Sequence, residues 1–239
     1  MIQACLNGGR GLDAAPAVPV TPGALAADAS AAVAAGAACL HIHPRAEDGS
    51  ETLAPGAVGA ALEAVRETVP GVPVGVGTGA WIAPGGRARH THIRGWQVRP
   101  DHASVNLSEA DAPEVVALLA GLGVAVEAGI WSVADAGRFA AEIDPGHCLR
   151  VLVEVPDLPE AEARAEADAV LGALGAAGNA LPVLLHGAGR SAWPCIARAA
   201  ELGLDTRVGY EDTLELPDGT PAATNAELVA AAAGMFERA

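Results

Sequence analysis

The sequence predicts a single-domain (β/α)8 barrel, also called a TIM barrel, over residues 1–239. Short apolar segments rich in β-branched residues alternate eight times with Ala-rich segments of helical character. Successive strand candidates begin about 20 to 36 residues apart, which suits right-handed βαβ crossovers. No Ser-rich or Pro-rich linker divides the chain, so one domain is expected. An open, doubly wound sheet is the competing arrangement.

Eight apolar runs are the strand candidates. Each is only a few residues long and is bounded by Gly, Pro or polar residues, which is the usual signal for a strand. In chain order they cover residues 2–7, 38–44, 73–78, 102–107, 124–130, 149–155, 181–187 and 206–212.

Ala-rich segments separate these strands and are the helix candidates. Thr21 before Pro22 predicts a capped start for the first helix, and Ser132 and Thr224 are candidate N-caps of the fifth and eighth. The third segment has two glycines and a weak apolar stripe, so we expect a loop with a short helical piece there. Glycines stand where three helices should end, at Gly36, Gly121 and Gly203. The helix candidates are residues 22–35, 55–69, 86–97, 111–121, 132–142, 159–177, 190–202 and 224–237.

The composition excludes several classes of partner. The net charge is −15, and no basic cluster offsets it, so the surface should repel nucleic acid and anionic membranes. No apolar stretch is long enough to span a bilayer, and no signal peptide is recognisable at the N-terminus. The four cysteines form no CxxC pair, so we expect reduced core residues of a cytoplasmic protein rather than a Cys-based zinc site.

Polar side chains interrupt the apolar strands mainly near their C-terminal ends. In a (β/α)8 barrel these ends meet at the face that carries the chemistry. A core that serves packing alone would not need so many polar residues. The set comprises Asn7, Arg10, His41, His43, Thr78, Ser104, Asn106, Ser108, Glu127, Glu154, His186, Arg207, Glu211 and Asp212.

His41 and His43 stand one residue apart in "CLHIHPR", at the end of the second strand. Side chains alternate along a strand, so both imidazoles should share one face and could bind one metal ion. The alternative is a pair of histidines that only satisfy hydrogen bonds at the barrel mouth. Glu211 and Asp212 end the eighth strand and, as neighbours, should face opposite ways. One could bind the metal while the other transfers protons, an arrangement typical of a catalytic zinc site.

Arg207 precedes Glu211 by four residues, so a regular strand would place both on one face. An arginine inside a barrel needs a partner, and this one could orient Asp212 or bind a substrate carboxylate. An ordinary salt bridge is the alternative. Glu127 and Glu154 interrupt apolar strands and could support the histidines or form structural ion pairs. Small polar groups that could fix a carboxylate, or only hydrogen-bond within the fold, are Thr78, Ser104 and Asn106.

Read together, these segments resemble the β-keto acid cleavage enzymes. The most specific matches are H-x-H followed by Arg, an acid and Gly in "HIHPRAEDG", and "RVGYED" followed about a dozen residues later by "NAELV". Further matches are "GVGTGAW", "ASVNL", "VEAGIWS" and "LLHGAGRSAWP", so the resemblance extends from the first strand to the last helix.

The resemblance implies a zinc-dependent enzyme, usually a homotetramer, that converts a β-keto acid and acetyl-CoA into acetoacetate and a new acyl-CoA. Another divalent transition metal could replace zinc. The implied metal ligands are His41, His43 and Glu211. Asp212, oriented by Arg207, corresponds to the general base. Substrate contacts are expected from Thr78, Ser104, Asn106, Glu127 and Arg10.

Three departures from the family pattern bear on the substrate. Arg10 stands where the family often has an acidic residue, which argues against a cationic substrate and for an acidic or neutral one. The family's Ser-Thr-Gly-Gly turn reads Gly-Thr-Gly-Ala at residues 77–80, so a serine that helps bind the substrate carboxylate is missing. His186 and Glu154 make the pocket more polar. The chain is also shorter than those of the family, mostly in its loops, and shorter loops could weaken CoA binding. The alternatives are a metal-dependent barrel hydrolase or aldolase without CoA, and a non-catalytic carboxylate-binding barrel.

Overall fold

The computed structural model describes residues 1–238, and in this range eight strands form one parallel sheet. The strands are β1 (Ile2–Cys5), β2 (Cys39–Ile42), β3 (Val74–Gly77), β4 (His102–Asn106), β5 (Ala125–Ile130), β6 (Cys148–Val155), β7 (Val183–Gly187) and β8 (Thr206–Val208). The hydrogen-bonded order runs from β7 down to β1 and then to β8. A parallel bridge between Leu184 and Asp205, the residue before β8, closes the sheet. The predicted (β/α)8 barrel is therefore confirmed.

A helix follows each strand and packs on the outside of the barrel. The helices are α1 (Pro22–Ala34), α2 (Pro55–Thr68), α3 (Arg89–Arg94), α4 (Ala112–Gly121), α5 (Val133–Glu142), α6 (Glu160–Ala176), α7 (Ala192–Leu202) and α8 (Asn225–Phe236). The third is the shortest and follows a 3-10 turn at Gly86–Ala88, as its weak apolar stripe predicts. No helix within residues 1–238 combines the length and apolarity needed to cross a membrane.

The N-caps predicted from the sequence are confirmed at three helices. The hydroxyl groups of Thr21, Ser132 and Thr224 each accept a hydrogen bond from the backbone N–H three residues later. Gly203 takes a φ of +66° directly after α7. α4 ends at Gly121, as predicted, and the residue that takes the left-handed conformation after it is Gly123, with a φ of +73°.

The eighth strand is shorter than its sequence suggests. It ends at Val208, and the chain then turns, with the backbone N–H of Asp212 donating to the carbonyl of Gly209 at 2.8 Å. The prediction that Glu211 and Asp212 face opposite ways as strand neighbours is therefore wrong. In a turn the alternation of side chains no longer holds, so both carboxylates can approach the same group.

The N-terminal half of the barrel interior is filled by polar side chains. The amide of Gln3 on β1 donates to Glu127 on β5 at 2.9 Å, across the barrel, since these strands are not neighbours. Arg150 places its Nε atom 3.0 Å from the same carboxylate, and His102 lies 3.6 Å from it. These buried groups compensate one another's charges and form the floor below the C-terminal face.

Candidate metal centre and active site

Three of the predicted residues converge on one point at the C-terminal face. His41 lies on β2, His43 follows that strand, and Glu211 comes from the turn after β8. Strand β1 therefore lies between the two strands that position the ligands. The two histidine Nε2 atoms are 3.1 Å apart. Each lies 3.7 Å from an oxygen of Glu211. One ligand atom from each residue falls within 4.8 Å of the others, so the predicted convergence is confirmed.

The protonation states of this triad suit a metal ion. Burial lowers the pKa of His41 well below its usual value, which favours the neutral imidazole that metals require. Burial alone would raise the pKa of Glu211, but the neighbouring Arg207 charge overcomes this and holds that pKa well below its usual value. Within residues 1–238, Glu211 Oε2 and His41 Nδ1 have no hydrogen-bond partner. Two imidazole nitrogens and one carboxylate fit a divalent transition metal.

Two glycines make room for the triad. A Cβ atom on Gly77 of β3 would lie 2.5 Å from Nε2 of His43, which is too close for any real contact. A Cβ atom on Gly8 would lie 2.3 Å from Cγ of Glu211, and Gly8 also has a φ of +54°. Larger residues at either position would displace a ligand.

Backbone and side-chain hydrogen bonds fix His43 in place. Asn7 accepts from the His43 backbone N–H at 2.8 Å and donates to the His43 carbonyl at 2.9 Å. The loop after His43 folds back through a bridge between Arg45 and Glu51. This return places Glu51 Oε1 2.5 Å from Nδ1 of the imidazole. A carboxylate on Nδ1 leaves Nε2 free to bind a metal, the arrangement common around metal-bound histidines.

Sequence reasoning missed Glu51. Its contact depends on a loop that reverses direction between the two residues, and no strand or helix spacing encodes that reversal. The available signal was an acidic residue shortly after the tight turn "EDGS" and eight positions beyond His43. Such a signal is weak, because the same pattern occurs in many solvated loops.

Arg207 joins both acidic residues of the last turn. Its Nη2 atom donates to Glu211 at 2.8 Å and to Asp212 at 2.7 Å, and the guanidinium group is buried. Burial alone would lower the pKa of Arg207, but the charge of Asp212 overcomes this and keeps that pKa well above its usual value. Asp212 keeps its second oxygen, Oδ2, without a hydrogen-bond partner among the described residues. The arrangement fixes one oxygen of Asp212 on Arg207 and leaves the other without a partner among the described residues, beside the triad.

A cavity of about 120 Å³ opens onto these groups. His43, Arg207 and Glu211 form part of its wall, together with two residues predicted to bind substrate, Ser104 and Asn106. The remaining wall residues are Gly77, Gly79, Trp81, Trp131, Leu152 and Glu154.

Three other predicted substrate contacts lie outside the cavity wall. Thr78 is buried, and its hydroxyl donates to the carbonyl of Ser104 at 2.7 Å. Glu127 belongs to the polar floor of the barrel and contacts Arg150 there. Arg10 is partly exposed at the rim, where its Nε atom donates to the backbone carbonyl of Glu211 at 3.4 Å.

Comparison with known proteins agrees with this geometry. The sequence profile of the beta-keto acid cleavage enzyme family matches residues 1–239. The 3-oxoadipate:acetyl-CoA acetyltransferase of Cupriavidus necator is 28% identical, over 93% of this chain and 82% of the relative. The 3-keto-5-aminohexanoate cleavage enzyme of Acetoanaerobium sticklandii is 22% identical, over 90% of this chain and 82% of the relative.

A solved structure described as the ternary complex of ObcA with C4-CoA adduct and oxalate shares the fold. It superposes with a TM-score of 0.69 at 15% identity, covering 93% of this chain and 64% of that chain. At this identity the likeness shows a common barrel and nothing further about the reaction. The whole-length profile match, together with a histidine pair and a glutamate that converge at the C-terminal face, shows that the chain belongs to the β-keto acid cleavage enzyme family.

Proposed function

We propose that this protein condenses a β-keto acid with acetyl-CoA and releases acetoacetate and a new acyl-CoA. The observation that carries the proposal is the convergence of His41, His43 and Glu211 next to a cavity and beside Asp212, which accepts a hydrogen bond from Arg207. The names of the two curated relatives, an acetyl-CoA acetyltransferase and a keto acid cleavage enzyme, support the same reaction class.

His41, His43 and Glu211 would hold a zinc ion, and another divalent transition metal would suit the same donors. When bound, the metal polarises the substrate's keto oxygen and makes the C2 protons acidic. Arg207 fixes one oxygen of Asp212, so the other can accept a C2 proton as general base.

The reaction then proceeds by a condensation followed by a cleavage. The C2 carbanion attacks the carbonyl carbon of acetyl-CoA, and the CoA thiolate leaves. That thiolate attacks the former ketone at C3, the C2–C3 bond breaks, and Asp212 returns the proton to C2 of the departing acetoacetate. No oxidant or reductant is required, because the acyl groups only exchange partners.

The other predicted site residues belong to the same proposal. Ser104 and Asn106 would orient the substrate carboxylate from the cavity wall, where Asn106 is held by the indole N–H of Trp131 at 3.1 Å. Thr78 would act through Ser104, whose carbonyl it contacts. A single domain over residues 1–239, a homotetramer and a cytoplasmic location stay predictions.

Three measurements test the proposal. Purified protein should contain close to one zinc ion per chain, measured by plasma emission spectrometry. A panel of β-keto acids mixed with acetyl-CoA should yield acyl-CoA products by mass spectrometry. In deuterium oxide, C2 proton exchange should proceed without CoA. Cleavage of a keto acid without any need for CoA would favour the hydrolase or aldolase, and the absence of exchange and turnover would refute both enzymes.

A further inference from the structure

The cavity wall carries a carboxylate that the proposed reaction does not use. Glu154 lies near the C-terminal end of β6 and lines the cavity together with Leu152, two positions earlier on the same face. Its side chain is only 13% exposed. Its nearest basic neighbour among residues 1–238 is Nε2 of His186, 3.5 Å from Oε2, and this nitrogen makes no hydrogen bond of acceptable geometry.

His186 does not satisfy this carboxylate. The imidazole is fully buried between two acids, with Nδ1 3.5 Å from Asp212 and Nε2 3.5 Å from Glu154. Neither ring nitrogen has a hydrogen bond of acceptable geometry within the described chain. Any positive charge on His186 is shared between two carboxylates. Glu154 therefore faces the cavity without a donor, and a poorly solvated carboxylate without a donor is costly.

We propose that Glu154 selects β-keto acids whose side chain carries a hydrogen-bond donor, an ammonium or hydroxyl group, and disfavours those with a second carboxylate. This inference rests on the proposed function, because it assumes that the keto acid occupies this cavity. A donor on the substrate supplies the missing hydrogen bond, whereas a second carboxylate meets like charge in a confined space. The indole rings of Trp81 and Trp131 line the same cavity and are compatible with a cation.

This selectivity differs from the expectation drawn from Arg10, because it admits a cationic substrate and disfavours a dicarboxylate. That residue predicted an acidic or neutral substrate, but its guanidinium lies at the rim against the Glu211 carbonyl and is not part of the cavity wall. Glu154 is part of that wall. The small cavity volume, about 120 Å³, also favours a short substrate side chain.

The test uses three keto acids of similar length in the zinc-loaded protein: 5-amino-3-oxopentanoate, 3-oxohexanoate and 3-oxoadipate. For each, kcat/KM with acetyl-CoA is measured in wild type and in Glu154→Gln. We expect kcat/KM of wild type to be at least tenfold higher for 5-amino-3-oxopentanoate than for 3-oxoadipate. The substitution should shift that ratio at least tenfold toward the dicarboxylate. Ratios within one protein are insensitive to a partly unfolded fraction.

Binding of the same acids is measured by calorimetry without CoA. If no acid is turned over but the binding ratio shifts in Glu154→Gln, the proposed reaction fails while the selectivity stands. If the ratio is the same in both proteins, or if wild type prefers the dicarboxylate, the role of Glu154 is overturned. Absence of binding by all three acids overturns it as well.

Discussion

Replacement of Glu51 by alanine should weaken metal binding without removing a ligand. Glu51 Oε1 lies 2.5 Å from Nδ1 of His43, and both side chains are largely buried, at 14% and 4% exposure. The contact fixes a proton on Nδ1 and orients Nε2 toward the triad. Loss of such a partner typically costs about 10- to 100-fold in metal affinity. That range corresponds to about 1.4–2.8 kcal/mol, since each tenfold change is about 1.4 kcal/mol.

The affinity is measured by competition with a chromogenic zinc chelator on the apo protein. Glu51→Gln should fall between wild type and Glu51→Ala, because the amide oxygen can still accept from Nδ1–H. Glu47→Ala is the matched control: it removes the same charge from the same loop, but its side chain is exposed. An affinity of Glu51→Ala within twofold of the Glu47→Ala value would refute the orienting role. In the apo protein, long-range ¹H–¹⁵N spectra should show the His43 proton on Nδ1 in wild type only.

Three further predictions concern the triad, the base and stability. His43→Ala should lose bound zinc and all activity while keeping the wild-type circular dichroism spectrum. An active, metal-free variant would refute the metal site. Asp212→Asn should keep the metal but slow C2 proton exchange by about 10²–10⁴-fold in NMR, and unchanged exchange would exclude Asp212 as the base. Burial raises the pKa of Asp28 from 3.8 to about 6 despite a hydrogen bond from Asn225. The unfolded chain releases this proton more readily, so wild-type stability should fall as pH rises from about 4 to 6, and Asp28→Asn should reduce that fall in Tm.

Local spacing predicted the part of the site that lies on one element. The period of two along β2 placed His41 and His43 on one face, and their Nε2 atoms are indeed 3.1 Å apart. The same rule failed for Glu211 and Asp212, because β8 ends at Val208 and a turn follows. Both carboxylates then contact one guanidinium nitrogen.

Glu127 shows a different limit of sequence reasoning. The family resemblance predicted a substrate contact, whereas the place of Glu127 in an apolar strand predicted either support of the histidines or a structural ion pair. The structure places it in the barrel floor, with Gln3 from β1 and Arg150 from β6. The sequence shows that a buried carboxylate needs a partner, but the partner is decided by which side chains reach the same layer of the barrel.

By itself the sequence determined the eight strand–helix repeats, the helix caps and the shared face of the two histidines. These depend on backbone geometry over a few residues, which each segment carries within it. Only the tertiary structure decided the contact of Glu51 with His43, the approach of Glu211 to both imidazoles, and the position of Glu154 in the cavity wall. Barrel closure and loop reversal bring together residues far apart in the chain, and no local spacing encodes those distances.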